Sequence, residues 1–132
     1  MKKEIFKSER YFTVWEYIVS HGQLLLRSDK RAGYDENIDI IFYDTSFIQL
    51  FTSLQGIIVR VVDKKSITNY NTLNEYLSYE TKNLFEIESN GEKYYIAASF
   101  VKVYENDLAF HETSLGIAEN KGRAKEIAGS DW

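Results

Sequence analysis

The chain has 132 residues and a formal net charge of −4, and its length fits one domain rather than two. An apolar fraction of 44% and an aromatic fraction of 15% exclude disorder over most of the length. Cysteine is absent, which excludes a disulfide framework, cysteine-ligated zinc and a thiol nucleophile.

The first half of the chain predicts five strands, which lie at 11–19, 24–27, 37–43, 47–51 and 57–62. Residues 11–19 are apolar on both faces, which is typical of a central strand. A turn follows at 20–22, where Gly22 tolerates positive φ, and the polar residues 28–37 predict an exposed loop. Ile48 and Leu50 are expected to point inward. The segment 57–62 is rich in β-branched residues and, left as an uncovered edge, would pair with another copy.

A short helix is predicted over 72–82. Thr72 and Glu75 have the spacing of a capping box, in which both side chains satisfy amides at a helix start. Apolar residues recur at three- and four-residue intervals behind it, so one face could pack on a sheet. The alternative is a loop rich in tyrosine and asparagine.

Three further strands are predicted at 84–88, 93–105 and 108–113. Asn90 and Gly91 form the strongest hairpin signal, because both residues tolerate the backbone of a type I′ turn. The small residues at 97–99 predict a bend or a close approach by another element. Residues 1–115 are therefore expected to form one β-rich domain, and 116–132 a polar tail or weak helix.

These elements predict a mainly β (α+β) fold of about eight strands with one helix. Turns of hairpin length favour an antiparallel barrel or a two-layer sandwich.

The longest apolar run in the sequence is far too short to span a membrane, and no signal-peptide pattern opens the chain. We therefore expect a cytoplasmic protein with no membrane partner.

Two histidines and one basic cluster are the candidate site residues. His21 falls in the first predicted turn and His111 in the last predicted strand; with an acid such as Asp39 they could form a metal or general-base site. No ligand spacing supports such a site, and the pattern favours structural or surface roles. No reaction motif or phosphate-binding loop is present, so an enzyme is the less favoured interpretation and no cofactor is implied.

The basic cluster lies within and beside the polar loop and consists of Arg27, Lys30 and Arg31, with Tyr34 close by. It could contact a phosphate or a single nucleic-acid strand, with Tyr34 stacking on a base. The acids of the same loop favour a solvated surface of mixed charge instead. The overall charge of −4 also argues against nucleic acid, because such binders are usually basic.

Residues 15–28, with the pattern W-x-Y-x-V-S-H-G-x-L-L-L-R-S, followed by residues 37–42, resemble the opening of a group of small single-domain bacterial proteins of unknown function. The resemblance implies a bacterial source and supplies no activity or cofactor. It draws attention to Ser20, His21, Arg27 and Asn37, whose alternative roles are turn formation and clamping of loop carbonyls.

Protein binding is the first functional hypothesis. Small acidic proteins without an active site can act by capping a partner, as immunity proteins do, and self-association is included here. The alternative is a small-molecule or metal-binding barrel, possibly an enzyme, centred on His21, Arg27 and His111. Binding of single-stranded nucleic acid is the third and least favoured hypothesis.

Overall fold

A computed structural model describes residues 2–67, 69–116 and 121–132, and over these residues the protein is mainly β with nine strands and one α-helix. The helix α1 spans Asn71–Leu77. The strands are β1 (Lys3–Ile18), β2 (Gln23–Ser28), β3 (Asn37–Tyr43), β4 (Phe47–Gln49), β5 (Ser53–Val62), β6 (Asn83–Ser89), β7 (Glu92–Ala98), β8 (Phe100–Asn106) and β9 (Lys125–Gly129).

All strand pairs are antiparallel, and the sheet has the order β4-β7-β6-β5-β1-β2-β3-β8-β9. The long strand β1 belongs to both halves of this sheet. It pairs with β5 from Lys3 to Thr13 and with β2 from Thr13 to Ile18, and bulges interrupt both ladders. Bulges bend a strand, and a bent strand can pass from one layer to another.

A second corner lies at Ser99, the single residue between β7 and β8. β7 pairs with β6 in one half of the sheet, whereas β8 pairs with β3 in the other half. The bend predicted at 97–99 is therefore confirmed. The side chain of Asn83 donates to the Ser99 carbonyl at 2.8 Å and holds the corner in place.

The two halves of the sheet face one another across one apolar core. Phe42 of β3 and Phe85 of β6 meet edge to face, with ring centroids 5.6 Å apart. The interior is filled with buried side chains, including Phe12, Leu24, Leu26, Ile40, Val59, Ile87, Ile96 and Val103. The sheet is not closed into a barrel over the described residues, so the structure favours the sandwich-like alternative.

Several local predictions are confirmed. Asn90 and Gly91 have φ angles of 52° and 76° and join β6 to β7 as a tight hairpin. The turn at 20–22 is present as a single 3₁₀ turn closed by Gly22. β5, which contains the β-branched segment, is paired on both sides, by β1 and β6, and is not an edge.

Other predictions are wrong. The predicted helix is present but ends at Leu77 rather than 82, and no side chain caps its start after Tyr70, so the Thr72–Glu75 capping box is not formed. β4 is only three residues long, and Ile48 is exposed rather than inward. Residues 108–113 contain a turn at 110–111 and no strand, so His111 does not lie in a strand.

The expected polar tail at 116–132 contributes a strand instead. β9 pairs with β8, so a tail or helix is wrong for Lys125–Gly129; residues 117–120 of that segment lie outside the described part of the chain. Within the described ranges, no helix has the length and apolarity needed to cross a membrane.

Gly22 offers a test of the first hairpin. A Cβ at this position would lie 2.9 Å from the Thr45 nitrogen, and φ is +58°. Gly22→Ala should lower the free energy of unfolding by more than the roughly 1–2 kcal/mol that a left-handed backbone costs alanine. The control is Gly91→Ala, which shares the positive φ (+76°) but has no atom within 4 Å of the added carbon. Equal losses in urea unfolding would contradict the close approach.

Candidate functional site

A cleft of about 370 Å³ opens on the outer face of the sheet, where β1 leaves β5 and pairs with β2. Two connections flank it: the loop 29–36 between β2 and β3, and the segment 107–116 that follows β8. The lining residues are Tyr11, Thr13, Trp15, Arg27, Ser28, Asp29, Arg31, Ala32, Tyr34, Gln55 and Phe110. The structure thus brings three of the predicted site residues, Arg27, Arg31 and Tyr34, into one cleft.

The floor of the cleft contains a buried ion pair. Arg27 and Asp39 lie on neighbouring strands, directly opposite one another, and their side chains are 1% and 0% exposed. The guanidinium donates to both carboxylate oxygens, from Nε at 2.7 Å and from Nη2 at 2.9 Å. Nη1 donates to the Glu112 carbonyl at 2.9 Å, so Arg27 clamps a loop carbonyl. Such a bidentate pair fixes the orientation of both side chains.

Asp39 also ties the segment 107–116 to the sheet. Its Oδ2 accepts from Asn106 at 2.9 Å and from the Ser114 hydroxyl at 2.6 Å. Asn37 extends the network, because it donates to Asn106 and to the Leu108 carbonyl and accepts from the Lys30 amide. A fully bonded buried network has little freedom to rearrange, so both walls of the cleft are held against the sheet.

Aromatic and arginine side chains form the wall on the side of Phe110. The Trp15 and Phe110 rings meet edge to face with centroids 5.1 Å apart, and the Arg31 guanidinium lies 4.1 Å above the Phe110 ring. Arg31 also pairs with Asp29 at 2.7 Å. Burial alone would raise the pKa of Asp29, but hydrogen bonds from the Arg31 side chain and amide lower it overall.

Arg10 supports the opposite wall. Its guanidinium lies 3.6 Å from the centre of the Tyr34 ring, and it donates to the Ser28 hydroxyl and to the carbonyls of Ser28 and Glu36. Burial lowers the pKa of Arg10 below its ordinary value. All of these acceptors are neutral, and the nearby charges of Tyr34 and Glu105 oppose the effect of burial on this pKa without cancelling it.

The two histidines do not come together with Arg27. His21 is exposed in the turn beyond the β1–β2 hairpin, whereas Arg27 lies at the far end of β2, a strand span of about 13 Å from Gln23. His111 is exposed next to Phe110, outside the cleft lining. Among the residues that the structure describes, no group of three potential metal-ligating side chains exists.

Three residues of this site were not predicted from the sequence: Arg10, Trp15 and Phe110. Trp15 was hidden by the apolar character of both faces of β1, and Phe110 by its placement in a predicted strand. Arg10 precedes the first predicted strand and lies at the bulge between Ser8 and Tyr11, where it packs on the Tyr34 ring. Asp39 is predicted only as a possible acid partner of the histidines, whereas its buried carboxylate pairs with Arg27.

The accessible surface of the cleft is suited to binding. Its floor cation and anion are bonded to each other, and the carboxylate of Asp29 in the lining is paired with Arg31. What remains accessible is a set of ring faces with arginine side chains beside them. Such surfaces recognise apolar groups and anions.

The floor pair can be tested by removing one charge. Asp39→Asn keeps the shape of the side chain but leaves the Arg27 guanidinium buried without a counter-charge. The free energy of unfolding should fall by about 3–5 kcal/mol. Asp35→Asn, at an exposed loop position, is the matched control and should change it by less than about 0.5 kcal/mol. A small loss for Asp39→Asn in urea unfolding would refute the importance of the pair.

The ion pair that stabilises the turn next to Phe110 should persist at acidic pH. The ion pair of Glu112 with Lys121 and the Ala109 amide hydrogen bond lower the pKa of Glu112 to about 2. Because the folded-state pKa is depressed, the stabilisation is complete above the ordinary value of 4.5 and is lost as the pH falls through about 2. A carboxyl NMR titration should show this midpoint, and Lys121→Gln should raise it. A midpoint near 4.5 in the unmodified protein would contradict the pairing.

Comparison with known proteins adds no relative: no protein-family model, curated protein or solved structure matches the chain. The resemblance of residues 15–28 therefore stays a prediction, and the case for function depends on the cleft alone.

Proposed function

We propose that this protein is a protein-binding module and that its partner docks on the cleft and its rim. The observation that supports this proposal best is the grouping of three exposed aromatic side chains around one cleft. Tyr11, Tyr34 and Phe110 are 50%, 44% and 54% exposed, and Arg31 lies among them. Aromatic residues and arginine contribute a large share of the binding energy at protein interfaces.

The rigidity of the floor also supports binding. Arg31 and Tyr34 are positioned by contacts with Phe110 and Arg10, the segment 107–116 is fixed to Asp39, and the loop 29–36 is fixed to Asn37. A surface that is already ordered loses less conformational entropy when a partner binds. By analogy with immunity proteins, this small acidic protein would act by capping its partner. It would do so in the cytoplasm, the location expected from the sequence.

A small molecule is the second candidate occupant. The cleft volume of about 370 Å³ lies within the range of about 300–1,000 Å³ typical of small-ligand sites. The small molecule would bind in this cleft on the outer face of the sheet, because core side chains fill the space between the two halves of the sheet. Native mass spectrometry of the purified chain distinguishes the two candidates, because a retained organic mass would favour the small molecule.

The protein-binding proposal predicts that rim variants lose a partner. The tagged chain should retain one stoichiometric protein from lysate of its source organism, and Phe110→Ala and Tyr34→Ala should each weaken that complex about tenfold or more. Matched controls are Phe51→Ala and Tyr79→Ala, whose rings are 65% and 60% exposed and do not line the cleft. Equal retention by rim and control variants, or no retained protein, would refute the proposal.

A further inference from the structure

The charges of the cleft balance one another. Arg27 in the floor is paired with Asp39, and Arg31 in the lining is paired with Asp29. A charged group that entered the cleft would lose water and meet no excess of opposite charge. The cleft therefore favours an uncharged occupant.

Arg10 does not disturb this balance. It lies outside the lining, and its guanidinium donates to the Glu36 carbonyl. Lys125 pairs with the carboxylates of both Glu36 and Glu105, and the charge of Glu105 also acts on Arg10. Two cations and two carboxylates are thus grouped beside the cleft.

The hydrogen-bonding groups of the lining favour an occupant that accepts. The Asp29 carboxylate already accepts from Arg31, and the hydroxyl and carbonyl of Ser28 already accept from a guanidinium. By contrast, Trp15 Nε1 and the Tyr34 hydroxyl have no hydrogen-bond partner within the described part of the chain. A segment rich in proline suits these donors, because proline has a carbonyl oxygen but no N–H.

Aromatic rings lie on both walls, and the cleft offers no strand edge. Thr13 of β1 pairs with both Ser53 and Arg27, so a segment cannot join the sheet at this point. Phe110 and Tyr34 are half-exposed, and a guanidinium lies over each ring. Grooves lined by aromatic rings bind proline-rich segments, which enter as preformed polyproline II helices.

From the charge balance, the free donors and the ring-lined walls, we propose that the cleft binds an uncharged, proline-rich segment of the partner protein. Its pyrrolidine rings pack against Tyr34 and Phe110, and its carbonyls accept from the free donors. The amide oxygen of Gln55, whose Nε2 donates to the Glu9 carbonyl, accepts from a residue between two prolines. This inference rests on the proposed function and adds the chemistry of the segment that is recognised.

The test uses the full chain and a display library of short random peptides. Enriched peptides should contain prolines three residues apart, because a polyproline II helix has three residues per turn. The affinity of the best peptide should change by less than about twofold between roughly 0.05 and 0.5 M salt, since no ion pair forms. Replacing its prolines with alanine should weaken binding about tenfold, because packing and preorganisation are lost.

Variants of the rim show whether the rings carry this binding. Phe110→Ala and Tyr34→Ala should each weaken the best peptide about tenfold. Tyr34→Phe keeps the ring and should retain most of the affinity. The matched control is Phe51→Ala, whose exposed ring does not line the cleft and which should bind like the unmodified chain.

The proposal is overturned if no peptide is enriched, if the enriched peptides lack proline, or if Phe110→Ala binds them as well as the unmodified chain. Tighter binding of cellohexaose at the same rings would assign the cleft to carbohydrate and also overturn it. Failure here, with a stoichiometric partner still lost in Phe110→Ala, would remove only the proline-rich segment. Absence of any rim-dependent partner would instead remove the proposed function itself.

Discussion

The buried pairing of Arg27 with Asp39 is the interaction on which the outer face of this protein depends. Two charges taken out of water are costly unless each finds its full set of partners. Here the guanidinium and the carboxylate bind each other, and their remaining contacts are with Asn106, Ser114 and the Glu112 carbonyl. Because those partners belong to the end of β8 and the segment after it, satisfying the ion pair also folds that segment over the sheet.

The sandwich-like architecture provides the place where this pair can lie. β1 changes partner at Thr13, which pairs with Ser53 of β5 and with Arg27 of β2. The curvature needed for that change, together with the bulge before Tyr11, leaves a concave surface outside the core. The cleft is therefore a by-product of the corner that joins the two layers, and the flanking connections deepen it.

Sequence patterns predicted the parts of this structure that depend on local chemistry. The β-branched segment in β5, the Asn90–Gly91 hairpin and the bend near Ser99 follow from the preferences of the residues themselves. The burial of Asp39 could not be predicted, because its face of β3 is covered by residues far away in the sequence: Asn106 and Ser114 are 67 and 75 residues from Asp39. β9 was missed because a short edge strand pairs on only one side and needs little apolar patterning. The grouping of Arg10, Arg27, Arg31 and Tyr34 with Phe110 likewise depends on tertiary contacts.

The sequence separations in the sheet have a kinetic consequence. Asn37 of β3 pairs with Asn106 of β8, and Arg27 reaches the Glu112 carbonyl across 85 residues. The entropy of closing such long loops must be lost before these contacts can form, and proteins dominated by non-local strand pairs fold slowly, on the order of milliseconds to seconds. Hairpins such as β6–β7 can form early, whereas the cleft requires β1, β2, β3 and the segment after β8 together. We therefore expect the cleft to be among the last features completed during folding, an order that pulse-labelled hydrogen exchange of the β6 and β8 amides would reveal.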